Sequence, residues 1–325
     1  QTIFSFRGAD PNYFMEHIVP EENKRYLRQS YRLPAEPHKY ATRLIDRVSN
    51  RDQVEFAPKP GDPGTVEMTG DTYKDPAMLV YRIEENWGKG KTSMVLASCA
   101  YILSETVRLL KRLAIPFWNP YRPTRGDWNP LGRSRDKIMA VDRVLAFLAP
   151  DEDVFEGEAR EWTSEDLKRW IKPLKSKGLL KQGVKARIDN ETCGDLELED
   201  FMNLFENESD AESALDMDLD WYEKSLLDSA KQAMEFPIHI ARKRGGKALT
   251  VNPKVVVGTI HSVKGGEADL VAVFPDLSVA FFEEYHNVKR AGGFENMIRL
   301  YYVAVTRTKN ELVLCAPSTG RAFEW

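Results

Sequence analysis

The chain has 325 residues, a net charge of −4, 42% hydrophobic and 30% charged residues. That length admits two or three domains and a sizeable core, and the composition is that of a folded globular protein, not a disordered one. The mild acidity excludes a surface basic throughout, though not a local basic groove, and no apolar run approaches the ~18 residues of a membrane helix.

Cys99, Cys193 and Cys315 are far apart in sequence. They suggest neither a CxxC pair nor a disulfide framework, so a reduced, intracellular (cytoplasmic) protein is expected. The chain starts at Gln1, and "QTIFSFRGADP" reads as a strand or turn already under way. A fragment of a longer protein is therefore expected.

In chain order, residues 1–50 read as a short aromatic stretch followed by helix, with Tyr40, Leu44, Ile45 and Val48 at helical spacing. Residues 51–76 read as a Pro/Gly/Asp-rich loop holding one short strand, "TVEM". "MVLASCAY" (94–101) reads as a buried strand, "LSETVRLLKRLA" (103–114) as an amphipathic helix and "IPFW" as the next strand. This is a βαβ unit and predicts a parallel sheet. From about 131 to 250 four stretches are helical by period: "RDKIMAVDRVLAFLA", "SEDLKRWIKPLKSKGLL", "LELEDFMNLF" and "DLDWYEKSLLDSAKQAMEFPIHIARK". After 251 the α/β pattern returns with "KVVVGTI", "DLVAVFP", a helix near 294–307 and "ELVLCAP". The prediction is an α/β domain interrupted by an all-helical insertion.

Three stretches imitate ligand motifs. "NWGKGKTS" ends like a phosphate loop, but Glu85 stands where the first Gly belongs, and a strand follows where a helix should open. "VLAFLAPDED" imitates a Mg²⁺-binding strand end, yet Ile138, Val141, Leu145 and Leu148 share one helix face and Pro150 stops the helix. Asp151 and Glu152 then read as loop residues. "DMDLDW" starts like a calcium loop but has Trp221 and Leu227 where Gly and Glu are needed, so it reads as an acidic helix start. The five histidines show no zinc spacing with the cysteines.

Four clusters carry chemistry. In "GTIHSVKGGEAD", Thr259 and His261 end a strand and Gly265 and Gly266 free the backbone to turn. Such a segment is either a ligand-binding strand end or a plain polar connection. In "FENMIRLYYVAVTRTKNELVLC", Arg299 and Arg307 stand eight residues apart in an apolar helix. Each needs an anion, which is either a ligand or a carboxylate of the chain. "QSYRLP" places Arg32 after a helical stretch, and in "QTIFSFRGAD" Phe4 and Phe6 alternate with polar residues before Arg7. Alternating aromatics beside Arg suit either base stacking or core packing.

Taken in order, Q-x-I-[YF]-x-[FW]-R-G-A-D, Q-x-Y-R, T-x-H-x-x-K-G-x-E and R-L-x-Y-V-A-x-T-R closely resemble the carboxyl-terminal half of superfamily 1A DNA helicases of the UvrD/Rep (PcrA-like) family. "MVLASCAYILSETVRLLKRLAIPF" and "DKIMAVDRVLAFLAPDED" are similar to the segments between those motifs. The resemblance touches the whole chain and is weakest over 155–250.

The resemblance implies two RecA-like, P-loop NTPase-type motor domains that clamp ATP and Mg²⁺ and ratchet along single-stranded DNA, 3′ to 5′, unwinding duplex at single/double-strand junctions. It implies a tail of the first motor domain and crossover at 1–35, the second motor domain at 36–130 and 251–325, and a 2B-like helical insertion at 131–250. Gln1, Arg32 and Arg307 then serve catalysis at the γ-phosphate, and Glu267 completes the ATP site. Phe4, Phe6, Arg7, Thr259, His261 and Lys264 match positions along the DNA. The Mg²⁺ ligands and both Walker motifs are expected in an amino-terminal domain preceding Gln1, its partner, so the chain alone is expected to be inactive. The sequence departs from the family where Gly266 stands for a usual Leu, Phe6 for a common Trp, and no Arg follows "LASCAY", and the helical insertion is short for the family, which argues against a duplex-binding role for it. The alternative is a stand-alone nucleic-acid-binding module derived from a helicase, without ATPase activity.

Overall fold

A computed structural model describes residues 20–23, 25–49, 51, 54–148, 162–190, 198–286 and 292–325. The chain divides into two compact units, one built from residues up to 113, 117–128 and 254–325, the other from 114–116 and 129–253. No helix among the described residues is long and apolar enough to cross a membrane.

The first unit opens with helix α1 (Ala35–Ile45), strand β1 (Thr65–Met68), helix α2 (Ala77–Gly88), β2 (Ser93–Ala97), α3 (Ser104–Arg112) and β3 (Phe117–Trp118). The chain then forms the helical unit with α4 (Ala140–Leu148), α5 (Ser164–Ile171), α6 (Val184–Asn190), α7 (Leu198–Met202), α8 (Glu208–Leu215), α9 (Leu219–Ser225) and α10 (Asp228–Arg244). It returns to the first unit with β4 (Val255–Thr259), β5 (Ala268–Val273), α11 (Val279–His286), α12 (Gly293–Val305) and β6 (Thr308–Leu314).

The six strands form one sheet in the order β1-β6-β5-β2-β4-β3, every pair parallel. β2 lies at its centre, and all five of its residues are buried. A strand covered on both faces must be apolar on both, which is why "SMVLA" and "ADLVAV" read as runs and not as alternations. One face carries a core of Leu33, Leu44, Met94, Leu96, Val271, Ile298 and Tyr301 among others. The predicted α/β class with a parallel RecA-like sheet holds.

The helical unit is organised around aromatic side chains. The Phe147 ring stacks on Tyr222 at 4.3 Å and meets Trp170 edge-on at 5.2 Å, while Trp162 stacks on Phe201 at 4.7 Å. The Tyr222 hydroxyl donates to the Trp170 carbonyl at 3.1 Å. A polar tip buried this deeply needs such a partner. Phe147→Ala should cost ~3–5 kcal/mol in denaturant unfolding of this unit, because the rings around it cannot close the cavity. A loss under ~1 kcal/mol would show that they repack.

Several elements differ from their sequence reading. The strand expected through Tyr101 ends at Ala97, where the Ser98 hydroxyl donates to the Asp276 carbonyl and a short 3₁₀ turn follows. The stretch 218–243 is two helices, parted at Leu226–Leu227, where the Leu227 N–H donates to the Pro173 carbonyl. The helix expected over 164–180 stops at Ile171, two residues short of Pro173. The buried face of α4 is Val141, Val144 and Phe147, with Ile138 exposed outside the helix. Asp151 and Glu152 lie outside the described residues. The "DMDLDW" stretch is a helix start: Asp218 caps α9, its carboxylate accepting from the Asp220 N–H.

Candidate functional site

The polar interruption 259–267 runs between two parallel strands, from the carboxyl end of β4 to the amino end of β5. Thr259 closes β4, a 3₁₀ turn carries Ile260–Val263, and Gly265 turns the chain at φ +101°, a conformation that strains any side chain. Ile260 and Val263 anchor the turn in the core. Thr259 ends β4 as expected, whereas His261 lies in the turn that follows. Glu267, at the other end of the segment, immediately precedes β5.

At the Glu267 end two arginines converge. Arg307 lies just beyond α12, which ends at Val305, so it does not share the helix with Arg299 as expected. It is 6% exposed, and its guanidinium donates to the Val303 carbonyl at 2.9 Å, to the Gly266 carbonyl at 3.3 Å and to the Thr306 hydroxyl at 3.2 Å. Arg299 is satisfied differently, by Glu295 at 2.8 Å one turn earlier. That is the carboxylate partner left open for it. Arg32 arrives from the far end of the sequence. Buried Ser30 holds its turn, the hydroxyl accepting from the Leu33 N–H at 2.9 Å and the Arg32 N–H at 3.3 Å. Leu33 plugs into the core, and Arg32 reaches Glu267 at 3.5 Å.

The electrostatics show how close the cations are. Burial first, and then the like charge of Arg32, pull the Arg307 guanidinium down to about 10, with Glu267 opposing. It stays protonated at neutral pH. Two guanidiniums against one carboxylate leave excess positive charge, and Arg32 Nε is buried without a hydrogen-bond partner. A phosphate oxygen fits such a donor set.

At the other end, Thr259, His261 and Ser262 line a cleft of about 590 Å³ with Arg122, Arg125, Trp128 and Phe281. His261 stacks against Phe281 at 6.2 Å. Lys264 is exposed and is not among the lining residues. A larger hollow of about 1010 Å³ beside β1 and α2, lined by Glu67, Met68, Met78 and Arg82 among others, contains none of the predicted residues. Gln1, Phe4, Phe6 and Arg7 lie outside the described residues. The phosphate-loop imitation begins in the last turn of α2 and leads into β2, and the Thr92 hydroxyl donates to Asp269 at 2.6 Å.

Residues 164–319 match the model of the UvrD-like helicase C-terminal domain. This stretch, just under half of the chain, resembles the carboxyl-terminal domain of UvrD-like superfamily 1 helicases. The chain is also similar to the RecB subunit of the RecBCD enzyme from Haemophilus influenzae, 27% identical over 168 residues, 43% of this chain and 13% of that protein. The chain thus spans a small part of that relative's length.

Its departure from the UvrD-like pattern at Gly266 has a physical reason. A Cβ there would come within 2.5 Å of the Tyr121 hydroxyl. Gly266 and Tyr121 are a matched pair, and the Gly266 carbonyl accepts from the Arg307 guanidinium. The sequence reading missed Tyr121, Arg122, Arg125, Trp128 and Phe281. The available signal was "YRPTRGDW", arginines and aromatics crowded just after a predicted strand.

Proposed function

We propose that the chain is the second motor domain and helical insertion of an ATP-dependent helicase that moves 3′ to 5′ on single-stranded DNA and unwinds duplex. In this reading 36–130 and 251–325 form the motor domain, 131–250 the 2B-like subdomain and 1–35 the tail of the first motor domain. The observation that carries it is the convergence of Arg32 and Arg307 on Glu267, with a buried donor of Arg32 unpartnered. ATP brings the phosphate charge that such a pair can stabilise. Arg307, held by backbone carbonyls, and Arg32, held by Ser30 and Glu267, orient toward the γ-phosphate. Glu267 lies beside the nucleotide, and Gln1 senses the γ-phosphate from the first domain. Mg²⁺ is bound by that first domain. Thr259, His261, Lys264, Arg7, Phe4 and Phe6 follow the DNA. The segment 259–267 then joins DNA grip to nucleotide state through one short stretch of chain.

The test is ATP turnover with DNA present, in a protein that also carries the first motor domain. Arg32→Ala should depress turnover strongly while DNA affinity stays near the parent value. Wild-type-like turnover would overturn the assignment. The isolated chain should release no phosphate, and turnover there that Arg307→Ala abolishes would show a complete active site within it.

Phe6→Ala should weaken single-stranded DNA binding by ~1–3 kcal/mol without changing its salt dependence, since stacking is lost and no phosphate contact is. A variant that melts far lower yet binds normally while folded would place Phe6 in the core instead.

A further inference from the structure

Resting on the DNA-binding reading of Thr259 and His261, we propose that the loop 119–128 is a second wall of the same site, with Arg122 and Arg125 as phosphate contacts for single-stranded DNA. None of the seven residues lining the cleft is acidic, and two of them are arginines from this loop. The loop comes from the β3 side of the sheet and meets the Thr259–Ser262 turn across the cleft. It contains no residue of the four sequence motifs.

The loop is built rather than slack. Asn119 is fully buried, and its amide donates to the Val257 carbonyl at 2.9 Å and the Ser262 hydroxyl at 3.2 Å. Its side-chain oxygen accepts from the Tyr121 N–H at 3.1 Å. Three turns follow in series: Arg122 N–H to the Asn119 carbonyl, Arg125 N–H to Arg122 and Trp128 N–H to Arg125, at 3.0, 3.0 and 3.1 Å. Trp128 is buried, and the Arg125 guanidinium lies 4.1 Å above its ring. A guanidinium resting on a buried indole is held in place at the cleft. The loop is thus locked to the turn that carries Thr259 and His261.

Chemistry selects the ligand. Cationic donors on one wall, with a hydroxyl, an imidazole and the Phe281 ring on the other, are the elements of a single-strand groove: charge that follows the backbone and flat groups that take bases. Double-stranded DNA would be met across many phosphates on a broad surface, not inside a cleft of this size.

The test is binding of the 325-residue chain to a fluorescent oligo-dT by anisotropy across a salt series. Each single-strand phosphate contact contributes about 0.7 to the slope of log K against log salt. Arg122→Gln with Arg125→Gln should flatten the slope by about 1.4 and weaken binding at low salt. Arg122→Lys with Arg125→Lys should restore most of the slope. A folded double Gln variant with the parent slope overturns the inference. Where that variant melts early, Arg122→Gln alone, which leaves the Arg125–Trp128 stack untouched, should flatten the slope by about 0.7, and an unchanged slope overturns it equally. His261→Ala separates the two ideas. If it weakens binding while the arginine variants do not, the DNA reading stands and the loop assignment falls. If the parent chain ignores oligo-dT, both fall.

Discussion

Arg307→Ala, in a protein that carries both motor domains, is expected to lower ATP turnover on the order of 10³-fold, the typical cost of removing an arginine that stabilises charge on a transferring phosphoryl group. Its geometry in this chain is why the loss should be so large. The side chain is buried and held at three points, so its donors are pre-aimed and need little reorganisation during reaction. Arg307→Lys should rescue little, since one ammonium cannot keep the Val303, Gly266 and Thr306 contacts and still face a phosphate. DNA affinity should be nearly unchanged, because the cleft at Thr259 contains no part of Arg307. Steady-state phosphate release beside a DNA titration reads both. Turnover within a few-fold of the parent would remove Arg307 from the chemistry.

Gly258→Ala should destabilise the first unit by about 2–6 kcal/mol. The new methyl would meet the Asn119 amide nitrogen at 2.2 Å and the Ser262 hydroxyl at 2.6 Å. Overpacking costs roughly 1–3 kcal/mol, and stripping a buried amide of its partners roughly 1–3 more. The Asn119 amide has no second place to go, since it already spans the Val257 carbonyl and Ser262. Urea unfolding gives the magnitude. A further consequence is that a folded fraction of this variant should bind single-stranded DNA poorly, because Asn119 ties the loop to the turn. A variant as stable as the parent would mean that Asn119 moves freely and the loop is not locked.

The sheet was legible because strands buried on both faces leave unbroken apolar runs, as in "KVVVGTI" and "DLVAVFP". Their ends were less so. Nothing in "MVLASCAY" announces that Ser98 will donate to a carbonyl beyond β5 and draw the chain out of the sheet. Helix α2 was passed over although it lies between two correctly read strands. Its buried residues Leu79, Val80 and Ile83 stand among Arg, Glu and Tyr that the phosphate-loop imitation drew attention away from. At the site, Arg32, Glu267 and Arg307 were reached only through the order of the motifs, because their meeting is tertiary and no local spacing encodes it. The carboxylate partner of Arg299 was in plain sight at Glu295, four residues away on the same helix face. The loop 119–128 has no period to read. Its meaning depends on Asn119 reaching Ser262, a contact between residues 143 apart.

The strand order has a consequence for how the protein is made. β1, β2 and β3 are never neighbours: β1 pairs with β6, β2 with β4 and β5, and β3 with β4. The early strands are therefore the two rims and the centre of the sheet, and the late strands fill the gaps between them. A ribosome that has delivered residue 253 has released three strands without a single partner, whereas the helices of 129–253 already have theirs. At roughly 5–20 residues per second the missing strands take on the order of ten seconds to arrive. During that interval "SMVLA", uncharged and apolar on both faces, stands open along both edges. A nascent chain of this design depends on something to shield its central strand until Leu314 has emerged, and a stall late in synthesis should be more damaging than one early.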